Sequence, residues 1–545
     1  MGGSGPRQPW RALSEELRSY FADEGVGVRA ALAREAEGTE ARELAVAAAF
    51  GEAEGFELPL ACDAGCSYAL EPLLAEASLE QLAAFVTAVG ADGGFATAAG
   101  SPFGSRVCEA ALRAADAHLA ADHGAASAAL GDALGAWCEG ALTGALELLA
   151  NKFGSHALRA LLSTLRGYNV DADAAGAGGK SAKGKGGAAA AARAAERRLA
   201  EKLQGVARTH AQRSGSNAHA GFPEMCGALV LELSEAARPH LWEMQVHTAA
   251  GPVLQAMLEC SRGDASQLAQ MTSIILCAKD GKTNVEAVDP DGFVELCQDR
   301  SGSHLAEAAL RCADEALHGR IFRHLFRGRL SGLVAHGTAN FVVQALLASE
   351  RSEAQLAMAL DELEAVFPTL LPRAASSAGG VGSSRAGVVA AAVGACSRLR
   401  VHEKRIGRAL ASALAARMGG GSSDAGAGAG PASEELVREL LYLDGRGEGA
   451  ACSILGSAML AMVLKFPMEA AQRFVEGFGR LTNEEVSARA RRRGVALADD
   501  CVRAADGECG GSCGRARADV CDGEGSVGWA SVGGTACVEL RRGRD

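Results

Sequence analysis

Long hydrophobic runs are missing from this sequence of 545 residues: the longest uncharged, mostly small apolar stretch, Ala386 to Cys396, falls short of the roughly 18 residues that a bilayer-crossing helix needs, so no membrane span is expected. The opening residues, MGGSGPRQPWRALSEELRSYF, lack an apolar core behind Arg7 and read as neither a signal peptide nor a transit peptide, which places the chain on the cytosolic or nuclear side. Positive charge is also in deficit. The formal net charge of -12 repels phosphate on average, so a nucleic-acid partner requires cationic groups gathered on one face. The 69 glycines show no three-residue period, which excludes a collagen-like chain. Sixteen cysteines are present, but Cys62/Cys66 and Cys509/Cys513, each enclosing three residues, have no second Cys or His pair at zinc-finger distance. Buried thiols inside apolar helical runs, as at Cys108, Cys138 and Cys260, are the plainer reading.

What is present is a helical composition, 48% hydrophobic with 4% aromatic residues, organised by an internal repeat. Six segments share a small residue, two polar or flat side chains, two apolar residues, then Glu, Gln or Arg: CSYALEPLL from Cys66, GSRVCEAAL from Gly104, GSHALRALL from Gly154, AGPVLQAML from Ala250, GSHLAEAAL from Gly302 and ANFVVQALL from Ala339. The closest spacing, 37 residues from Ser303 to Asn340, sets the unit length, and wider spacings contain insertions. Leu158, Leu161 and Leu162 recur at helical spacing and form a stripe that one unit cannot bury alone; stacked units bury it in an all-α, curved α-solenoid. Two fainter copies, RAGVVAAAV from Arg385 and GSAMLAMVL from Gly456, keep the stripe and lose the polar positions. The expected organisation is a disordered N-terminus over 1–16, repeats over 17–168, a Gly/Ala/Lys-rich insertion over 169–215, and repeats over 216–484 with a loop insertion at 417–434. Residues 485–545 form an irregular tail.

Two fragments invite a phosphate-loop reading, Gly179-Lys180-Ser181 and Gly281-Lys282-Thr283. The loop requires a glycine five residues before the Gly-Lys pair, where Ala174 and Leu276 stand, so no ATPase is expected. The neighbours Ser155/His156 and Ser303/His304 would point about 100° apart on a helix and cannot act as nucleophile and base. No enzyme activity, cofactor or metal is implied.

The repeat itself carries the chemistry. Residues four apart share one face of a helix and the residue after the first flanks them, so each copy presents a small polar group, a flat or cationic group and a longer polar group together. The six trios are Ser67/Tyr68/Glu71, Ser105/Arg106/Glu109, Ser155/His156/Arg159, Gly251/Pro252/Gln255, Ser303/His304/Glu307 and Asn340/Phe341/Gln344, all expected to point outward. Any helical solenoid has a polar solvated side, but exposed rings and guanidinium planes at one register are what unstacked RNA bases stack on. The reading is single-stranded RNA binding, against two alternatives: an armadillo- or HEAT-like protein scaffold, which suits the acidic charge, and a cytoplasmic messenger-RNA regulator.

On these trios, together with Arg18–Phe21, EGFELPL from Glu54, NKFGSHALRALL from Asn151 and HLFRGRLSGLVAHGTANFVVQALL from His324, the chain resembles the nucleolar Pumilio-like proteins, the nucleolar protein nine family, over residues 17 to 484. The resemblance implies Pumilio-like three-helix repeats, binding of small-subunit (18S) pre-rRNA, a role in its processing and in ribosome biogenesis, nucleolar localisation and contact with pre-ribosomal assembly proteins. The sequence departs from the family after LTNEEVSARA, where RRRGVALADDC replaces further repeats; either those repeats are lost or the reading frame changes near Arg489. Ser with Glu offers acceptors to guanine, Asn with Gln suits uracil, and Arg donates to cytosine O2 and N3. With the antiparallel RNA direction that the resemblance implies, the trios from Asn340 back to Ser67 spell 5′-UGACGG-3′, the A from Gly251/Gln255 being the weakest letter.

Overall fold

The structure is a computed structural model and describes residues 12–23, 27–34, 38–168, 170, 219–278, 284–371, 382–418, 432–443, 453–481, 530–532 and 535–537. Apart from Val170, the 169–215 insertion lies outside the described residues, as do both phosphate-loop-like fragments, Cys509/Cys513 and nearly all of the 485–545 tail. In that tail only a short antiparallel pair, Ala530–Val532 with Thr535–Cys537, is described; the other described elements are helices. The first helix begins at Glu15, capped by Ser14, and so starts inside the N-terminus expected to be disordered.

Each trio falls at the start of the middle helix of a three-helix repeat. In repeat one the three are Glu57–Cys62, Ser67–Ala75 and Leu79–Gly90. In repeat three, Ala145–Ala150 and Lys152–Arg166 are followed by Pro223–Ala237 beyond the insertion. The chain divides into two compact units, one built mainly from residues up to Asp314 and the other mainly from Glu315 onward. In the first unit the middle helices Ser67–Ala75, Gly104–Ala121, Lys152–Arg166, Ala250–Cys260 and Gly302–Cys312 each pack on the next, with Glu15–Ala22 laid against the first of them. In the second unit Ala339–Ser349, Gly382–Leu399 and Ile454–Val463 pack in the same serial way, the last two belonging to the faint copies.

The sequence explains the seam. Leu158, Leu161, Leu162 and Leu165 of Lys152–Arg166 are fully buried on one stripe, and Gly167 ends that helix at φ 79°, a conformation open to glycine. Gly154 sits where a Cβ would come within 2.8 Å of the Leu148 carbonyl oxygen, so the middle helix starts against the backbone of the helix before it. Eight cysteines, including Cys108, Cys138 and Cys260, are buried among these helices; burial pushes the Cys66 thiol up to about 12 and the Cys62 thiol up to about 11.

Leu79–Gly100 is long and apolar enough, by length and composition, to cross a membrane. It is not one rod: Asp92 at φ 50° and Gly93 at φ 75° break it into Leu79–Gly90 and Gly94–Gly100, and Leu82, Phe85, Val86, Val89 and Phe95 are buried within the repeat stack. Trp137 locks this bend, donating from Nε1 to the Val86 carbonyl at 2.7 Å and stacking on Phe95 at 4.8 Å between centroids. Trp137→Ala removes a fully buried ring and leaves that carbonyl without its donor, and is expected to cost about 3–5 kcal/mol in urea unfolding.

The second unit holds a buried polar clasp. His318 contacts Ser349 Oγ through Nε2 at 3.0 Å and Gln355 Oε1 through Nδ1 at 3.4 Å, and lies 3.9 Å from Glu350. Glu350 accepts from the Arg351 and Ser352 amides at 2.9 Å, and Arg398 donates to the Leu347, Ala348 and Glu350 carbonyls that end Ala339–Ser349. Burial, with Arg351 and Arg398 nearby, pushes His318 down to about 4 from 6.5. The imidazole is then neutral when folded, and the unfolded chain takes up a proton first on acidification. Stability is full above about pH 6.5 and falls by roughly 3 kcal/mol as pH drops to about 4. Thermal melts across this window are expected to show that slope, flattened in His318→Gln.

Candidate nucleic-acid interface

Five of the six trios are preceded, four residues upstream, by a side chain that accepts from two backbone amides at or just before the start of the helix. Asp63 Oδ1 accepts from the amides of Gly65 and Cys66 at 2.9 and 3.1 Å, and Asn151 Oδ1 from Phe153 and Gly154 at 2.7 and 3.1 Å. Ser101 Oγ does the same for Phe103 and Gly104, His247 Nδ1 for Ala249 and Ala250, and His336 Nδ1 for Thr338 and Ala339. These are orphan donors of a helix start, satisfied at the same two positions each time. The sequence reading missed these residues; the available signal was an Asp, Ser, Asn or His four positions before each trio. Asp63 shows the electrostatic consequence: burial raises its carboxyl, but the Cys66 and Gly65 amides and the Arg18 guanidinium outweigh that and hold it below the usual carboxylate range.

At the second trio position the expectation of exposure is met most fully by Tyr68, half-exposed at 50%, and by Arg106, His156 and His304; Pro252 and Phe341 are half-buried. The Arg106 guanidinium lies 6.0 Å from the Tyr68 ring centroid, so flat groups of consecutive repeats stand side by side. The third position is half-buried at Glu71, Glu109, Arg159 and Gln255 and buried at Glu307 and Gln344. Arg159 is braced in place, Nε donating to the Ser155 carbonyl at 3.2 Å and Nη2 to His156 Nδ1 at 3.0 Å. His304 Nδ1 and Glu307 Oε1 are 3.7 Å apart.

The first position is corrected. Ser67, Ser105, Ser155, Ser303 and Asn340 do not project outward but are buried in the first turn. The physical reason is a local bond: Ser67 Oγ donates to the Ala64 carbonyl at 3.4 Å, Ser155 to Lys152 at 2.9 Å and Ser303 to Arg300 at 3.2 Å. With its hydrogen committed, such a hydroxyl offers a ligand lone pairs and acts as an acceptor. Asn340 Nδ2 likewise donates to the His336 and Gly337 carbonyls at 3.1 and 2.6 Å, while its Oδ1 accepts from Gln344 Nε2 at 2.9 Å. Gly251 brings no side chain to its trio.

Residues 55–494 match the NOP9-like PUF repeat domain. The chain belongs to that family. It is 26% identical over 469 residues to Pumilio homolog 23 of Arabidopsis thaliana, covering 83% of this chain and 57% of that protein. It is 26% identical over 273 residues to Nucleolar protein 9 of Emericella nidulans, covering 49% of this chain and 35% of that protein. The chain thus spans about half, or less, of the length of these curated relatives. Among solved structures, the complex of APUM23 with GGAAUUGACGG superposes at a TM-score of 0.73 and 25% identity, over 92% of this chain and 84% of that one.

The caps generate a prediction. Asn151 both starts the reading helix of repeat three and reaches back, Nδ2 to the Gly100 carbonyl at 3.2 Å, to the repeat before it. Asn151→Ala is expected to cost about 1–2 kcal/mol in thermal or urea unfolding, and Asn151→Asp, which keeps the cap and loses the Gly100 bond, less than that.

Proposed function

We propose that this chain binds single-stranded small-subunit pre-rRNA through its trios and acts in 18S pre-rRNA processing within the nucleolus. The observation that carries the reading is the row of exposed flat and cationic groups at one register, Tyr68, Arg106, His156 and His304, over acceptors and donors held in fixed directions. Bases splayed from a single strand stack between such groups, each contributing about 1–3 kcal/mol. Acceptor-only Ser67 and Ser303, beside Glu71 and Glu307, suit the N1–H and N2–H donors of guanine. Ser155 as acceptor with Arg159 as donor suits cytosine, whose amino group faces the hydroxyl and whose O2 and N3 face the guanidinium. The hexamer spelled by the six trios, UGACGG, forms the last six letters of the RNA in the APUM23 complex, and the relatives named Nucleolar protein 9 support the nucleolar setting. Pre-ribosomal assembly proteins are the partners that this setting implies.

A competition assay with single-base variants of UGACGG checks the register. Replacing the C opposite Arg159 by U or A leaves a polar group unpaired and is expected to cost about 1–3 kcal/mol, and Arg159→Ala should erase that preference while leaving the guanine positions discriminating. Equal binding of all variants, or equal binding of duplex and single strand, sinks the assignment. Transcriptome-wide crosslinking is expected to peak on small-subunit precursor RNA.

A further inference from the structure

In three repeats the helix that precedes the reading helix carries a second register, apart from the trio. Nine residues before the trio stand Leu146 in repeat three, Trp242 in repeat four and Val294 in repeat five, and the next residue in all three is a glutamate: Glu147, Glu243 and Glu295. Trp242 is 66% exposed and Leu146 38%, Val294 is half-buried, and the three glutamates are exposed. A tryptophan left this open is uncommon, and here it recurs in register with other apolar side chains rather than singly. None of the three carboxylates has an ion-pair partner among the described residues, and the helices Ala145–Ala150, Leu241–Met244 and Pro290–Gln298 contain no Lys or Arg. Elsewhere carboxylates are used internally, as in Arg18–Asp63, Arg42–Glu76 and Arg405–Asp361.

We propose that this apolar-acidic ladder docks an extended basic protein segment, its apolar side chains against Leu146, Trp242 and Val294 and its Lys or Arg side chains against Glu147, Glu243 and Glu295. The charge of the strip decides the class of occupant: uncompensated carboxylates beside each apolar group repel RNA and attract a cationic chain. Spacing decides its pattern. The reading helices of these three repeats pack in series, at the roughly 8–10 Å usual for helices, and a polyproline-II-like extended chain advances about 3.1 Å per residue with three residues per turn, so an apolar residue at every third position lies on one side of the peptide and matches one rung per repeat. Trp242 is the anchor, being the largest and most open group in the row.

The test uses the full chain and two fluorescein-labelled synthetic peptides, (Leu-Lys-Lys)4 and (Ser-Lys-Lys)4, read by anisotropy near physiological salt, with circular dichroism verifying that each variant is folded. The leucine peptide is expected to bind about tenfold more tightly than its serine counterpart, an advantage worth about 1.4 kcal/mol. Trp242→Ala should abolish that advantage and Trp242→Phe should keep most of it. The triple variant Glu147→Gln, Glu243→Gln, Glu295→Gln should weaken both peptides. Three outcomes overturn the proposal: equal affinity for the two peptides, an advantage that survives Trp242→Ala, or a concentration-dependent dimer in sedimentation that Trp242→Ala dissolves, which would make a second copy of the chain the occupant.

Discussion

The proposed RNA-reading surface depends on side-chain-to-amide hydrogen bonds at the mouths of its helices. In five repeats a side chain four residues upstream of the trio, Asp63, Ser101, Asn151, His247 or His336, accepts from two backbone amides at the mouth of the middle helix. That bond decides where helical geometry begins, and the start of a helix decides which residues face the neighbouring repeat and which face solvent. Close approach then removes the remaining freedom, since Gly104 and Gly154 set the reading helix against the carbonyls of Ala98 and Leu148, leaving no room for a Cβ. Two of the caps also bind the previous repeat: Asp63 holds Arg18, and Asn151 holds the Gly100 carbonyl. The register of one trio relative to the next follows from these bonds rather than from the trio residues themselves.

The acidic net charge is compatible with an RNA surface because charge is sorted by use. Arg18, Arg42, Arg405 and Arg417 are held by Asp63, Glu76, Glu364 and Glu439, where they join one helix to another. Such pairs contribute little to affinity for a polyanion, and where half-exposed they contribute modestly to stability. On the reading face, Arg106 lies beside the Tyr68 ring and Arg159 beside His156, positioned by contacts with flat or neutral groups. A guanidinium placed in this way keeps its charge available and its plane oriented. Total charge is therefore a poor guide to what any one face binds.

The repeat, the helical class and the exposed second position were legible because they depend on side-chain type at fixed spacing: Leu158, Leu161 and Leu162 mark one face, and Tyr68, Arg106, His156 and His304 mark another. Two things were not. The serines of the trios were read as projecting outward because a hydroxyl is polar, but Ser155 sits in a first turn where the Lys152 carbonyl is within reach, and a hydrogen bond there satisfies it under cover. The bend within Leu79–Gly100 was not read from the sequence. The burial of that segment depends on the bend at Asp92 and on Trp137, a residue more than forty positions later in the chain. Each miss depends on a partner that spacing alone does not name.

The faint copies show what remains of a repeat when reading is removed. In RAGVVAAAV the trio positions are Ala386, Gly387 and Ala390, yet the helix Gly382–Leu399 still packs on Ala339–Ser349 through a stripe in which Ala386, Val389 and Val393 are almost wholly buried. Gly387, at the register where other repeats carry a ring or a cation, gives its space to the neighbour: a Cβ there would come within 2.6 Å of the Gln344 amide oxygen. Gln344 is thus held from below by Gly387 and from the side by Asn340, which is itself tied to the His336 and Gly337 carbonyls. Gln344 can approach this closely because the copy after it carries glycine and no side chain at that register. A repeat copy without polar trio residues can therefore still shape its neighbour, by fixing the side-chain amide of the repeat beside it.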